Sequence, residues 1–192
     1  MDITSARFAI PMPYPVAMGI TVIPTSYWQC KLQNTLIPTI MYRFIKTNSA
    51  HPDFIKLVQQ LDADLAERDG AEHAFYQQFN GIQQLNHVVV LYDADEPIGC
   101  GAFKEIEKDT VEVKRMYTLP AHRSKGHASN ILNALEQWAK EEGYSITVLE
   151  TGKRQPEAIE LYKKNGYNII PNYGQYMGIE NSVCFRKKLP FI

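Results

Sequence analysis

The stretch 113–128, VKRMYTLPAHRSKGHA, constrains the fold of this chain more than any other. An alternating run ends at Pro120, a short basic loop follows, and beyond Gly126 an apolar stripe begins at helical spacing. The pattern predicts a strand that runs into a loop and opens a helix. Backbone N–H groups at a helix start have no partner inside the helix, and the peptide dipoles add partial positive charge there. Arg123 and Lys125 add full charges, and Gly126 lacks the side chain that would hold a large anion off the backbone. Such a loop suits a phosphate or pyrophosphate.

The rest of the chain sorts by periodicity. Residues 41–46 alternate as an opening strand. Apolar residues at 54, 57, 58, 61 and 65 keep a helical period, and 70–80 predicts a second, more polar helix. Strands are expected over 87–92, 98–105 and 110–117. The helix after the basic loop is expected to end near Gly143, and a strand over 146–150 and a helix over 156–165 follow. Strands over 167–170 and 182–188 close the order β-α-α-β-β-β-α-β-α-β-β. Antiparallel strands come first, and a later crossover can form a parallel pair, which makes an α/β (α+β) fold.

Charge and composition narrow the function. With 192 residues and a formal net charge of −1, the chain has no global pull toward nucleic acid or an anionic membrane. Any basic site is therefore local. Cys30, Cys100 and Cys184 show no metal or disulfide spacing, which predicts a cytoplasmic protein, and Cys100 and Cys184, in apolar strand-like stretches, are expected to be buried inert thiols. Prolines punctuate residues 1–40, and charges are almost absent between Arg7 and Lys31. This predicts an N-terminal extension outside the core, with one domain over 41–192.

A second motif, QPEAIELYKKNGY at 155–167, lies beyond the next strand. Together with the Arg-x-x-Gly-x-Ala loop at 123–128 it resembles the paired signatures of the GNAT acetyltransferase superfamily, in the same order. The resemblance covers roughly 41–189. It implies a mixed, mostly antiparallel twisted sheet flanked by helices. It also implies acetyl-CoA as co-substrate and a small-molecule or peptide amine as acceptor; a homodimer is compatible with it. The resemblance assigns cofactor contacts to Arg123, Ser124, Lys125, Gly126, His127 and Ala128 of the loop. To these it adds the backbone of Met116, Tyr117 and Thr118, and Gln155, where the family often has Asn. Ser124 stands where the family often has Gly. His127 is expected either to touch phosphate when charged or to be a partly exposed residue of the first helical turn.

Direct acetyl transfer needs a base for the amine and an acid for the departing thiolate. The resemblance makes Tyr162 the acid; the alternative is a tyrosine that only packs the core. Glu112, eleven residues ahead of Arg123, matches the glutamate base of some members, although strand alternation leaves open that it points to solvent. Glu150 is a second candidate base or a ligand for the acceptor amine. Tyr173 and Tyr176 are expected to line an acceptor pocket, where their rings could favour a cation. No cysteine accompanies either signature, so direct transfer is expected rather than an acetylated enzyme. The rival reading is a non-catalytic acyl-CoA-binding or sensor module on the same fold.

Overall fold

A computed structural model describes residues 42–70, 76–78 and 80–190. The expected extension over 1–40, Cys30 and most of the polar helix expected over 70–80 lie outside the described residues. The strands are β1 (Tyr42–Thr47), β2 (His87–Asp93), β3 (Glu96–Glu107), β4 (Thr110–Thr118), β5 (Ile146–Gly152), β6 (Asn168–Ile170) and β7 (Ser182–Lys188). The helices are α1 (Pro52–Asp69), α2 (His127–Glu141) and α3 (Pro156–Lys164).

Each helix begins and ends where local chemistry directs. Pro52 sits in the first turn of α1, and His51 Nδ1 accepts from the Asp53 N–H at 3.3 Å. At the far end of α2 the N–H of Gly143 bonds the Lys140 carbonyl at 3.0 Å, at the expected glycine stop. No helix among the described residues is long and apolar enough to cross a membrane.

The strands form one sheet in the order β1-β2-β3-β4-β5-β7-β6. All pairs are antiparallel except β4–β5. One face packs on α1 through Phe54, Leu57, Val88, Val90, Cys100 and Ala102, and the other on α2 and α3 through Val89, Phe103, Val113, Ile131, Leu135 and Tyr162. A fully buried Leu or Phe of this kind is worth about 1.5–3 kcal/mol over its exposed form. With both faces covered, β2 and β4 read as buried runs rather than clean alternations.

Two features of the sheet create the site. Strands β4 and β5 pair at Thr110–Ile146, Val111–Thr147 and Glu112–Val148, then part, although each continues. Within β4, Arg115 and Met116 together oppose Gly101, and Arg115 takes φ 58°. This is a β-bulge, which bends the strand and increases its twist. Gly101 permits it. A Cβ there would lie 2.5 Å from Met116 Sδ and 2.8 Å from Leu135 Cδ1. Gly101→Ala is therefore expected to cost about 1–3 kcal/mol by overpacking. Thermal unfolding should show a melting temperature lower by roughly 2–4 °C per kcal/mol. An unchanged melting temperature would mean that α2 moves off the sheet without penalty.

Candidate active site

Where β4 and β5 separate, side chains from both strands, α1, α3 and Tyr176 surround a cavity of about 100 Å³. Glu112 to Met116 line it from β4, Glu150 and Thr151 from β5, and Gln155 and Tyr162 from the start and body of α3. From Val113 to Thr118 the edge of β4 toward β5 has no strand partner among the described residues. Backbone groups of Met116, Tyr117 and Thr118 thus border the gap. The Thr118 hydroxyl is buried without a hydrogen-bond partner among the described residues.

Glu112 does not point to solvent. It is 2 % exposed, because α1 and the loop before β7 cover the face opposite Val111 and Val113. Its Oε1 accepts from the Tyr173 hydroxyl at 3.1 Å and the Tyr176 hydroxyl at 3.3 Å. Its Oε2 lies 3.3 Å from Lys114 Nζ and 3.6 Å from Lys104 Nζ. Burial pushes the phenols of Tyr173 and Tyr176 well up, and the negative charge of Glu112 pushes them further, so both remain neutral donors. Burial lowers the Lys114 pKa, and Glu112 opposes that shift.

Tyr162 joins core and cavity. Its ring packs against Tyr167 and Phe185 with centroids 5.8 and 5.7 Å apart, and the residue also lines the cavity. Burial, and then the charge of Glu150, raises its phenol well above the usual range. It therefore stays protonated. Gln155 caps the start of α3 through backbone, and its side chain borders the same cavity.

The basic loop takes the expected strand-to-helix path. Pro120–His122 makes a single 3-10 turn, Ser124 adopts φ 62°, and Gly126 at φ 84° precedes His127. Glycine adopts this left-handed conformation without penalty, whereas Ser124 adopts it at a cost. No side chain caps the start of α2, and a Cβ on Gly126 would meet nothing within 4 Å. Open space and unpaired amides at this helix start fit a bound phosphate. Ser124, Lys125 and Gly126 are exposed and Ala128 half-buried. Lys125 Nζ donates to the Ala121 carbonyl at 3.1 Å.

Three side chains sit differently from the expectation. The guanidinium of Arg123 braces the loop, through Thr118 O at 3.0 Å and Asp64 of α1 at 2.9 Å. His127 is not partly exposed: it is 3 % exposed and meets the Tyr42 ring at 4.7 Å. Burial, helped by the nearby His122 and Lys125, lowers its pKa, which disfavours the charged form a phosphate contact would need. The reason was legible, since His127 shares the 127–131–135 stripe of α2 with Ile131 and Leu135. Tyr173 does not line the cavity; it supports Glu112 from behind, and Tyr176 does both.

Reading the sequence missed Lys104, Lys114 and the Arg115–Asp62 ion pair at 2.6 Å. Lys114 was within reach, because residues two apart on a strand share a face with Glu112. Lys104 required the β3–β4 register, in which it lies opposite Glu112.

Comparison with known proteins agrees with this architecture. Residues 53–167 match the family model described as the acetyltransferase (GNAT) family. The chain is 35 % identical over 100 residues to the uncharacterized N-acetyltransferase YsnE of Bacillus subtilis, covering 51 % of this chain and 66 % of that protein, just under two thirds of its length. Among solved structures it is similar to a Klebsiella pneumoniae protein provisionally described as an acyl-CoA N-acyltransferase, at 30 % identity and TM-score 0.66, covering 78 % of this chain and 98 % of that one. An Elizabethkingia anophelis GNAT acetyltransferase with acetyl-CoA bound shares the fold at 16 % identity and TM-score 0.57, over 77 % and 98 % of the two chains.

Proposed function

The chain belongs to the acetyltransferase (GNAT) family, and from that premise we propose that it moves an acetyl group from acetyl-CoA directly to a primary amine. The observation that carries this reading is the gap between β4 and β5, which places Glu112, Glu150 and Tyr162 around one cavity beside an unpaired strand edge. Acetyl-CoA supplies the activated thioester. The amides at 124–128 and the start of α2 hold its pyrophosphate. Backbone groups of Met116 to Thr118 polarise the thioester carbonyl, already oriented before reaction. Gln155 contacts the pantetheine arm.

Proton movement falls to the side chains. Glu150 holds the acceptor ammonium at the cavity. Glu112 takes its proton, received through the Tyr176 hydroxyl that already donates to Oε1. The neutral amine attacks, and Tyr162 donates its proton to the departing sulfur. Desolvation keeps that phenol loaded, and it makes a thiolate formed beside it more basic, so the transfer remains matched. Covalent transfer through sulfur is disfavoured at the described cysteines: burial pushes the Cys100 thiol up to about 12 and that of Cys184 to about 11.

Thiol release from acetyl-CoA in the presence of a panel of primary amines tests the reading, combined with intact-protein mass. Amine-dependent release with no acetylated protein is expected. An acetylated enzyme that forms and then transfers would overturn direct transfer. Tight acetyl-CoA binding without release for any amine would favour the sensor module.

A further inference from the structure

A second cavity of about 340 Å³ adjoins the first on the α1 face of the sheet. Its charged lining residues are Lys104 and Lys114, and the polar remainder is largely the side-chain amides of Gln83, Gln84 and Gln175. Lys114 lines both cavities. Polarity therefore reverses across the site. Glu112 and Glu150 stand on the first cavity beside Lys114 and Arg115, while the second carries two ammonium groups and no carboxylate among its described lining residues. The two sides meet at the Glu112 carboxylate, 3.3 Å from Lys114 Nζ and 3.6 Å from Lys104 Nζ. Arg115, the remaining cation of the first cavity, is committed to Asp62 at 2.6 Å.

The negative charge that reaches the two lysines comes from Glu112 and, for Lys114, also from Glu150, both on the first cavity, so on the second cavity's side the ammonium groups face no carboxylate of a described lining residue. A pocket lined by ammonium groups attracts a ligand group of opposite sign, so this side favours an anion. Amide N–H groups around the lysines can complete the coordination of a planar anion. A polyamine would place a second cation against Lys104 and Lys114, and that arrangement is repulsive.

We infer that the acceptor is an amine that also carries a carboxylate, as a free amino acid does, with the carboxylate seated on Lys104 and Lys114 and the amine turned into the Glu112–Glu150 cavity. The inference rests on the acetyl-transfer reading above and adds the acceptor's chemical class to it.

Free L-amino acids assayed beside their carboxamides and methyl esters test this, with product identified by mass. The wild-type enzyme is expected to favour the free acid at least tenfold in kcat/KM. In Lys104→Met both substrates are affected alike through the Glu112 ion pair, but the free acid should lose about tenfold more kcat/KM than the carboxamide, the extra loss falling in KM, so that the preference collapses. A carboxamide or ester acetylated as well as its acid, or a preference intact in Lys104→Met, overturns the carboxylate seat and leaves acetyl transfer standing. Acetyl-CoA binding seen by calorimetry with no product from any amine overturns the transfer reading, and the acceptor class with it.

Discussion

Tyr162→Phe is expected to slow the acetyl-transfer step by about a hundredfold to ten-thousandfold, the range general acid catalysis supplies, or roughly 3–5 kcal/mol of barrier. Only a hydroxyl is removed. The ring keeps its contacts with Tyr167 and Phe185, so the core on the α2–α3 face is preserved. Acetyl-CoA affinity should therefore stay within about twofold, and the melting temperature within the ~1 kcal/mol usual for a buried hydrogen bond. Single-turnover rates at saturating acceptor, set beside thermal unfolding, separate the roles. An unchanged rate would assign thiolate protonation to water. A parallel fall in rate and melting temperature would reduce Tyr162 to a packing residue.

Gly126→Asp should separate binding from folding in the opposite sense. The aspartate Cβ meets nothing within 4 Å, and aspartate tolerates the left-handed conformation at φ 84° better than most residues. A carboxylate just ahead of His127 also satisfies the preference of a helix start for an N-capping acceptor. The left-handed backbone costs roughly 1–2 kcal/mol and the cap offsets part of it, so the protein should stay folded with a slightly lower melting temperature. Acetyl-CoA binding should fall, because the same carboxylate faces the pyrophosphate; about 3 kcal/mol of like-charge repulsion corresponds to roughly a hundredfold in Kd. Gly126→Asn, of equal size and no charge, should lose much less. Calorimetry on both variants decides it. Equal affinity in Gly126→Asp and the parent would remove the pyrophosphate from this loop.

These two positions also mark how far reading the residues alone could go. The strand, loop and helix at 113–128, the second motif at 155–167 and the order of elements along the chain were legible because they are local: alternation, helical period, turn residues and caps act within a few residues of one another. The buried stripe 127–131–135 is equally local and pointed His127 inward, against the expectation of a phosphate contact or a partly exposed residue. The roles proposed for Tyr162 and Gly126 came from the motifs, their order and the family they resemble.

Tertiary structure decided the environment of Glu112. Alternation leaves a strand residue on one face or the other, but which face is covered depends on α1 and on the loop bearing Tyr173 and Tyr176, more than sixty residues away in sequence. Lys104 reaches Glu112 through the β3–β4 register, and Arg123 is braced by Asp64, which lies fifty-nine residues earlier. Strand pairing and ion pairs across such separations depend on chain closure and have no local signal. The gap between β4 and β5 belongs to the same class. So does the neighbouring bulge of β4, which Gly101 permits through a close approach of α2 that only packing reveals, and the proposed cofactor contacts of residues 116–118 depend on that gap. The sequence by itself therefore determined the order of elements and the motifs that carry the chemistry. Only the folded arrangement decided which charges share a cavity, because a charge's neighbours are set by distance in space rather than along the chain.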